Sequence, residues 1–327
     1  MSREQTTSIN GVFVVIVLLS HCSTSVKDGL YGIMDAPYLS MKSYLAQLIV
    51  VTFLFYSGYG IMESIRKKGM SYVYGIPWQR LFRVWYHFAI VVCLFILPNV
   101  ILGKPLEPVK TLLAFTGWEG IGNSNWYIFA ILILYGIVFL SFLVARRFRL
   151  LGLILVVTLT AGYVFWMIAA GQLERFYNTI ILFPMGMFYS LAKPYLDRFF
   201  MCHEIVYFGS LAAVTVGFIF MEWIRRAHLL AYYGWAMLFM LLIVLITMKF
   251  QIQNPILDWL GSHVFSIYML QRIPMMFLKS FGISINHPYI FVVLTTVITL
   301  FLAVLYDFLI GKLDGLIYRK RKQPESI

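Results

Sequence analysis

The sequence predicts an all-α fold: a polytopic bundle of about ten transmembrane helices with both termini in the cytoplasm. Three observations carry this expectation. The chain is 61% hydrophobic and only 12% charged, with a mean hydropathy of +0.83. Apolar runs of bilayer length follow one another from end to end, and the basic residues fall in clusters between them. A soluble globular chain carries roughly 45–50% apolar and about 25% charged residues. The polar surface left here is too small to coat a water-soluble particle.

A bilayer core asks for about 20 apolar residues per helix. On that scale the spans are expected near residues 8–25, 42–62, 84–102, 126–145, 150–170, 177–192, 205–223, 230–249, 263–281 and 289–310. Breakers fall between them, among them Gly103-Lys104-Pro105, Asn254-Pro255 and His287-Pro288. Residues 1–327 thus read as a single integral-membrane domain, with a basic cytoplasmic tail from about residue 312 to 327. With the N-terminus inside, 17 Lys and Arg side chains fall on the cytoplasmic side and 7 on the outer side. Arg272 and Lys279 lie within a span. This bias is the positive-inside pattern, and it supports an even number of crossings.

The formal net charge of +12 comes from short clusters: Arg66-Lys67-Lys68, Arg146-Arg147 with Arg149, and Arg319-Lys320-Arg321-Lys322. Clusters of this kind sit at an anionic bilayer face, so membrane lipid is the expected partner and nucleic acid is not. Cys22, Cys93 and Cys202 are far apart; they form neither a metal spacing nor a disulfide framework. No metal is expected. Arg3 followed by apolar Gly11 to Leu19 imitates a signal peptide, but the spans that follow make it an uncleaved first helix.

Polar side chains in hydrocarbon need a reason. Asn10 and His21 are eleven positions apart in the first span, close to a whole number of helical turns, so they share a face about 16 Å apart along the axis. His21 suits proton transfer near neutral pH; it also suits capping a helix end at headgroup level. Arg80 and Arg83 follow Pro77, a residue favoured in the first turn of a helix. A third span starting there would set two guanidiniums on one face at a helix N-terminus, a good phosphate site. Lys67 and Lys68 would add to its field, although plain anchoring of a cytoplasmic loop explains the same charges. Phe53 to Gly60 carries Ser57-Gly58-Tyr59, which by itself reads as close helix packing. The loop Gly103 to Asn125 has an apolar stretch, Thr111 to Phe115, and reads equally as a functional loop or an interfacial helix.

In this order the pieces resemble the membrane-bound acyltransferase family 3. They are His21 in the first span, Ser57-Gly58-Tyr59 in the second, and Arg80-x-x-Arg83 at the third. Asn125-Trp126-Tyr127-Ile128, Phe183-Pro184-Met185-Gly186 and Leu260-Gly261-Ser262 with Ser266-Ile267-Tyr268 complete the set. The resemblance covers nearly the whole chain. It implies an acyl-CoA donor, commonly acetyl-CoA, bound from the cytoplasm, with Arg80, Arg83, Lys67 and Lys68 as donor contacts. It implies His21 as the catalytic residue and a glycan or lipid-linked saccharide hydroxyl as acceptor, at a bacterial inner (plasma) membrane. Asn10, Ser57, Trp126 and Gln271 are supporting candidates, and no cofactor beyond the donor substrate is implied. Two positions depart from the family pattern: its first-span arginine is Asn10 here, and its late histidine is Gln271. The competing readings are a transporter or flippase of a lipid-linked sugar, and an inactive family member.

Overall fold

A computed structural model describes residues 3–26 and 47–318. The basic tail cluster Arg319 to Lys322, and the expected outer residues Lys27 and Lys42, lie outside the described residues.

Every regular element among the described residues is helical. The long helices are α1 (Arg3–Ser23), α2 (Leu48–Lys68) and α3 (Met70–Ile101). After the short α4 (Pro108–Ala114) come α5 (Trp126–Ala145), α6 (Arg149–Ala169), α7 (Leu182–Cys202), α8 (Glu204–Ile224) and α9 (Leu229–Lys249). Four short pieces follow: α10 (Pro255–Ser262), α11 (Val264–Leu270), α12 (Arg272–Ser280) and α13 (Ile283–Asn286). The long α14 (Pro288–Tyr318) closes the described chain.

Eight of these helices are individually long and apolar enough to cross a membrane. The two other expected spans take a different form. The one expected at 177–192 is α7, shifted toward the C-terminus and carrying Lys193, Asp197 and Arg198. The one expected at 263–281 is the broken run α10 to α13. Pro274 explains one break: it has no N–H for the Leu270 carbonyl, so α11 and α12 part at Gln271. Asn254-Pro255 starts a helix rather than only ending one, since Asn254 Oδ1 accepts from the Ile256 N–H at 2.9 Å.

The third span differs most from expectation. Its helix begins at Met70, seven residues before Pro77, because the turn from α2 is made at Gly69 with φ of 61°. Pro77 is accommodated inside the helix by a π-helical stretch, Pro77–Phe82. A proline in a helix interior lacks a donor and crowds the carbonyl four residues back; the wider turn relieves both. Arg80 therefore does not stand at a helix N-terminus, and no free backbone N–H groups surround it. The widened turn also ends the shared face of Arg80 and Arg83.

Packing at the centre depends on glycine pairs. A Cβ on Gly58 of α2 would overlap the carbonyl oxygen of Phe183, and one on Gly186 of α7 would overlap that of Phe55. Gly11 of α1 meets the Leu257 carbonyl, and Gly261 meets that of Thr7. Small residues let backbones approach within a bilayer, where apolar burial alone supplies little drive. The close packing expected of Ser57-Gly58-Tyr59 is thus realised at Gly58, whereas Gly60 faces open space. Leu97, Val144, Phe165, Val216 and Phe301 are exposed on the outside of the bundle, as lipid-facing residues are.

Candidate active site

Two cavities enter the bundle from opposite ends. The larger, about 760 Å³, lies between α1, α2, α3, α5 and α11 on the side where α1 begins and α2 ends. Asn10, Ser57, Arg80, Tyr127, Tyr135 and Tyr268 line it. The smaller, about 520 Å³, opens at the other end and is lined by His21, Arg272, Lys104 and Lys279 among others.

Tyr268 stands where the two approach each other. It lines the larger cavity, and its ring centroid lies 6.1 Å from that of His21 and 6.0 Å from that of Tyr127. Asn10 and His21 thus occupy one helix at two depths, each facing a cavity, as their spacing along α1 predicts. Asn10 Oδ1 is buried without a hydrogen-bond partner.

Around His21 the polar groups converge. Gln271, fully buried in the break between α11 and α12, donates from Nε2 to the Tyr268 carbonyl at 2.9 Å. That bond fixes the amide with Oε1 as its remaining acceptor. Gln271 lies within side-chain hydrogen-bonding reach of His21. Ser124, from the loop before α5, lies beside the Tyr268 hydroxyl. His21 Nδ1, Gln271 Oε1, Tyr268 Oη, Ser124 Oγ and Arg272 Nε are all buried without a well-formed partner. Buried polar groups are nearly always paired, so a cluster of unpaired ones marks a place where a substrate supplies the partners.

The larger cavity has a different character. Arg80 donates from Nε to the Tyr72 hydroxyl at 3.1 Å and is, among the described residues, the one cationic side chain that lines the cavity. Ser57 sits within hydrogen-bonding reach of Tyr127 and Tyr135. A guanidinium with its fork free, set among aromatic hydroxyls, suits a phosphate or other oxyanion.

The other expected site residues lie elsewhere. Arg83 turns away from the cavity and pairs with Asp314 of α14, which also accepts from Tyr86. Lys67 and Lys68 are exposed at the end of α2 and do not line the cavity. Trp126 is buried behind Tyr127, edge-to-face at 6.0 Å, so Tyr127 rather than Trp126 reaches the cavity. The outer loop divides into two parts. Its first half forms the helix α4 with Val109 and Leu112 exposed, and its second half brings Gly122 to the smaller cavity and Ser124 to Tyr268.

In the sequence Tyr268 figures only within the Ser266-Ile267-Tyr268 motif, and Arg272, Lys104 and Lys279 are not singled out as site residues. For Arg272 a signal existed, because an arginine inside an expected span demands a partner or a cavity. Among the described residues no cluster of His, Cys, Asp and Glu has the form of a metal site.

No match to the chain is found among curated proteins or solved structures. The model of an acyltransferase domain family, acyltransferase 3, matches residues 8–308. That span holds His21, Arg80, Tyr268, Gln271 and Arg272. The chain is a multi-pass membrane acyltransferase and belongs to the acyltransferase 3 family.

Proposed function

We propose that the protein is an O-acyltransferase of the bacterial plasma membrane, moving an acyl group, most simply acetyl, from acyl-CoA to a hydroxyl of an envelope glycan. The carrying observation is the meeting of two oppositely opening cavities at Tyr268 and His21. In this reading the donor enters the larger cavity from the cytoplasm, its phosphates met by Arg80 and its thioester directed past Tyr268. Asn10 and Ser57 offer hydrogen bonds along the way. The acceptor enters from the outside through the smaller cavity.

The chemistry asks for one base. In the reacting complex Gln271 Oε1, within hydrogen-bonding reach of the ring, takes the His21 Nδ1–H and leaves Nε2 as the proton acceptor, in the way a fixed partner selects a histidine tautomer. The acceptor hydroxyl oxygen attacks the thioester carbonyl as its proton moves to Nε2. The C–S bond then breaks, and the departing sulfur takes that proton back. Gln271 performs this orienting task where the family pattern has a histidine, which supports an active enzyme in spite of that departure. Membership of an acyltransferase family weighs against the transporter reading.

The test is the mass of the envelope polysaccharide with and without the gene, together with transfer of labelled acetyl-CoA by the purified protein. A gain of one acetyl per repeat that depends on the gene is the expected result. An unchanged glycan and no turnover of acetyl-CoA would exclude this function.

A further inference from the structure

The smaller cavity is cationic from mouth to floor. Lys104 and Lys279 are exposed at its entrance, Arg272 is half-buried deeper in, and His21 lies beside it. No Asp or Glu among the described residues lines it. Among the described residues, none of Lys104, Arg272 and Lys279 takes part in an ion pair. Arg175, on the loop between α6 and α7, is near enough to act electrostatically on Arg272, Tyr268 and His21, and it too has no ion pair among the described residues. Among the described residues, six cations elsewhere in the bundle, Arg66, Arg83, Lys110, Lys193, Arg225 and Lys249, are held by carboxylates, although Arg80, Lys67 and Lys68 are not.

An unpaired guanidinium kept partly out of water is costly unless a ligand compensates it. Lysines at the rim of a concave site raise the local concentration of anions and speed their entry. A neutral sugar would gain from neither. Resting on the acyltransferase reading above, we infer that the acceptor is an anionic saccharide, carrying a carboxylate or phosphate close to the hydroxyl that is acylated. Lys104 and Lys279 draw it in, and Arg272 grips the oxyanion so that the neighbouring hydroxyl faces His21. These three are specificity residues, whereas Arg80 serves the donor.

The experiment uses the full-length protein in phosphatidylcholine nanodiscs with labelled acetyl-CoA. Methyl glucoside, methyl glucuronide and glucose 1-phosphate serve as matched acceptors. At least one anionic sugar should be used about tenfold more efficiently than the neutral one, the scale of one charge-assisted hydrogen bond. The glucuronide and phosphate arms tell carboxylate from phosphate. Arg272→Gln, and the pair Lys104→Gln with Lys279→Gln, should remove the preference without altering the donor KM. Equal use of the neutral sugar, or a preference that survives in these variants, overturns the inference.

A second measurement needs no turnover. Ser25 lines the same cavity, so Ser25→Cys, with Cys93→Ser and Cys202→Ser, reports on its field. An anionic methanethiosulfonate should react faster there than a cationic one, and the ratio should fall in the Gln variants. The opposite ratio counts against the inference even if no test sugar is acylated. Failure of the underlying reading has a separate signature: acetyl-CoA neither transferred nor hydrolysed, and His21 and Arg80 variants indistinguishable from the unaltered protein.

Discussion

The two cavities approach each other where Tyr268 of the larger meets His21 of the smaller, but they differ in how they hold charge. The one near the start of α1 is large and aromatic, with Arg80 as its single cationic lining residue among those described. The one at the opposite end is smaller, with two lysines, an arginine and His21. A long substrate with phosphates at one end and a thioester at the other needs a deep slot and one anchor. A substrate arriving from bulk water needs a field at the mouth. On the proposed function, the difference means that the transmembrane helices divide one reaction into two half-sites, each shaped for its own substrate. His21, the proposed base, lines the second and lies beside Tyr268 of the first.

The largest effect that would break this division is expected at His21. His21→Ala should lower acyl transfer by about a hundredfold to ten-thousandfold, the range of general acid–base catalysis, while insertion and donor binding persist. Wild-type turnover in the purified variant would remove His21 from the mechanism.

The next effect contrasts two arginines of one helix. Arg80→Gln should raise the donor KM roughly tenfold or more, as loss of a charged hydrogen bond does, and leave the acceptor KM in place. Arg83→Gln should leave the donor KM unchanged, because Arg83 is held by Asp314. Equal donor defects in both variants would contradict the assignment of Arg80 alone.

Gln271→Leu should act through His21. A loss of about tenfold to a hundredfold in kcat, with little change in either KM, is expected for an orienting partner, and Gln271→His should restore part of it. A loss of folded protein without that kinetic pattern would make Gln271 structural.

The smallest effect concerns the scaffold beneath both half-sites. Gly186→Ala should lower stability by about 1–3 kcal/mol, the usual cost of overpacking, since the new methyl meets the Phe55 carbonyl. Gly60→Ala, with nothing within 4 Å of its added Cβ, should be neutral. Thermal unfolding of the two variants in detergent checks the contrast.

What the sequence made legible follows from what hydrophobicity and helical period encode. The α-helical membrane class, the line of Asn10 and His21 along α1, and the tight contact at Gly58 all depend on properties local to one helix. The site in three dimensions depended on geometry between helices. Pro77 was a sound signal for a helix start, but a π-helical turn absorbed it and separated Arg80 from Arg83. Trp126 and Tyr127 are adjacent aromatics, and only packing decides which of them reaches the cavity. Arg272 and Lys279 share α12, but Lys104 and His21 come from segments far away in the chain, so their convergence was not legible along any one helix.

The most direct measurement separates donor and acceptor across a bilayer. Labelled acetyl-CoA is sealed inside proteoliposomes, and an acceptor glycan is supplied outside. Two half-sites that meet at His21 predict label on the outside glycan, lost in His21→Ala and reduced in Arg80→Gln at limiting donor. Transfer that occurs only when donor and acceptor share one compartment would contradict the division of the reaction between the two cavities.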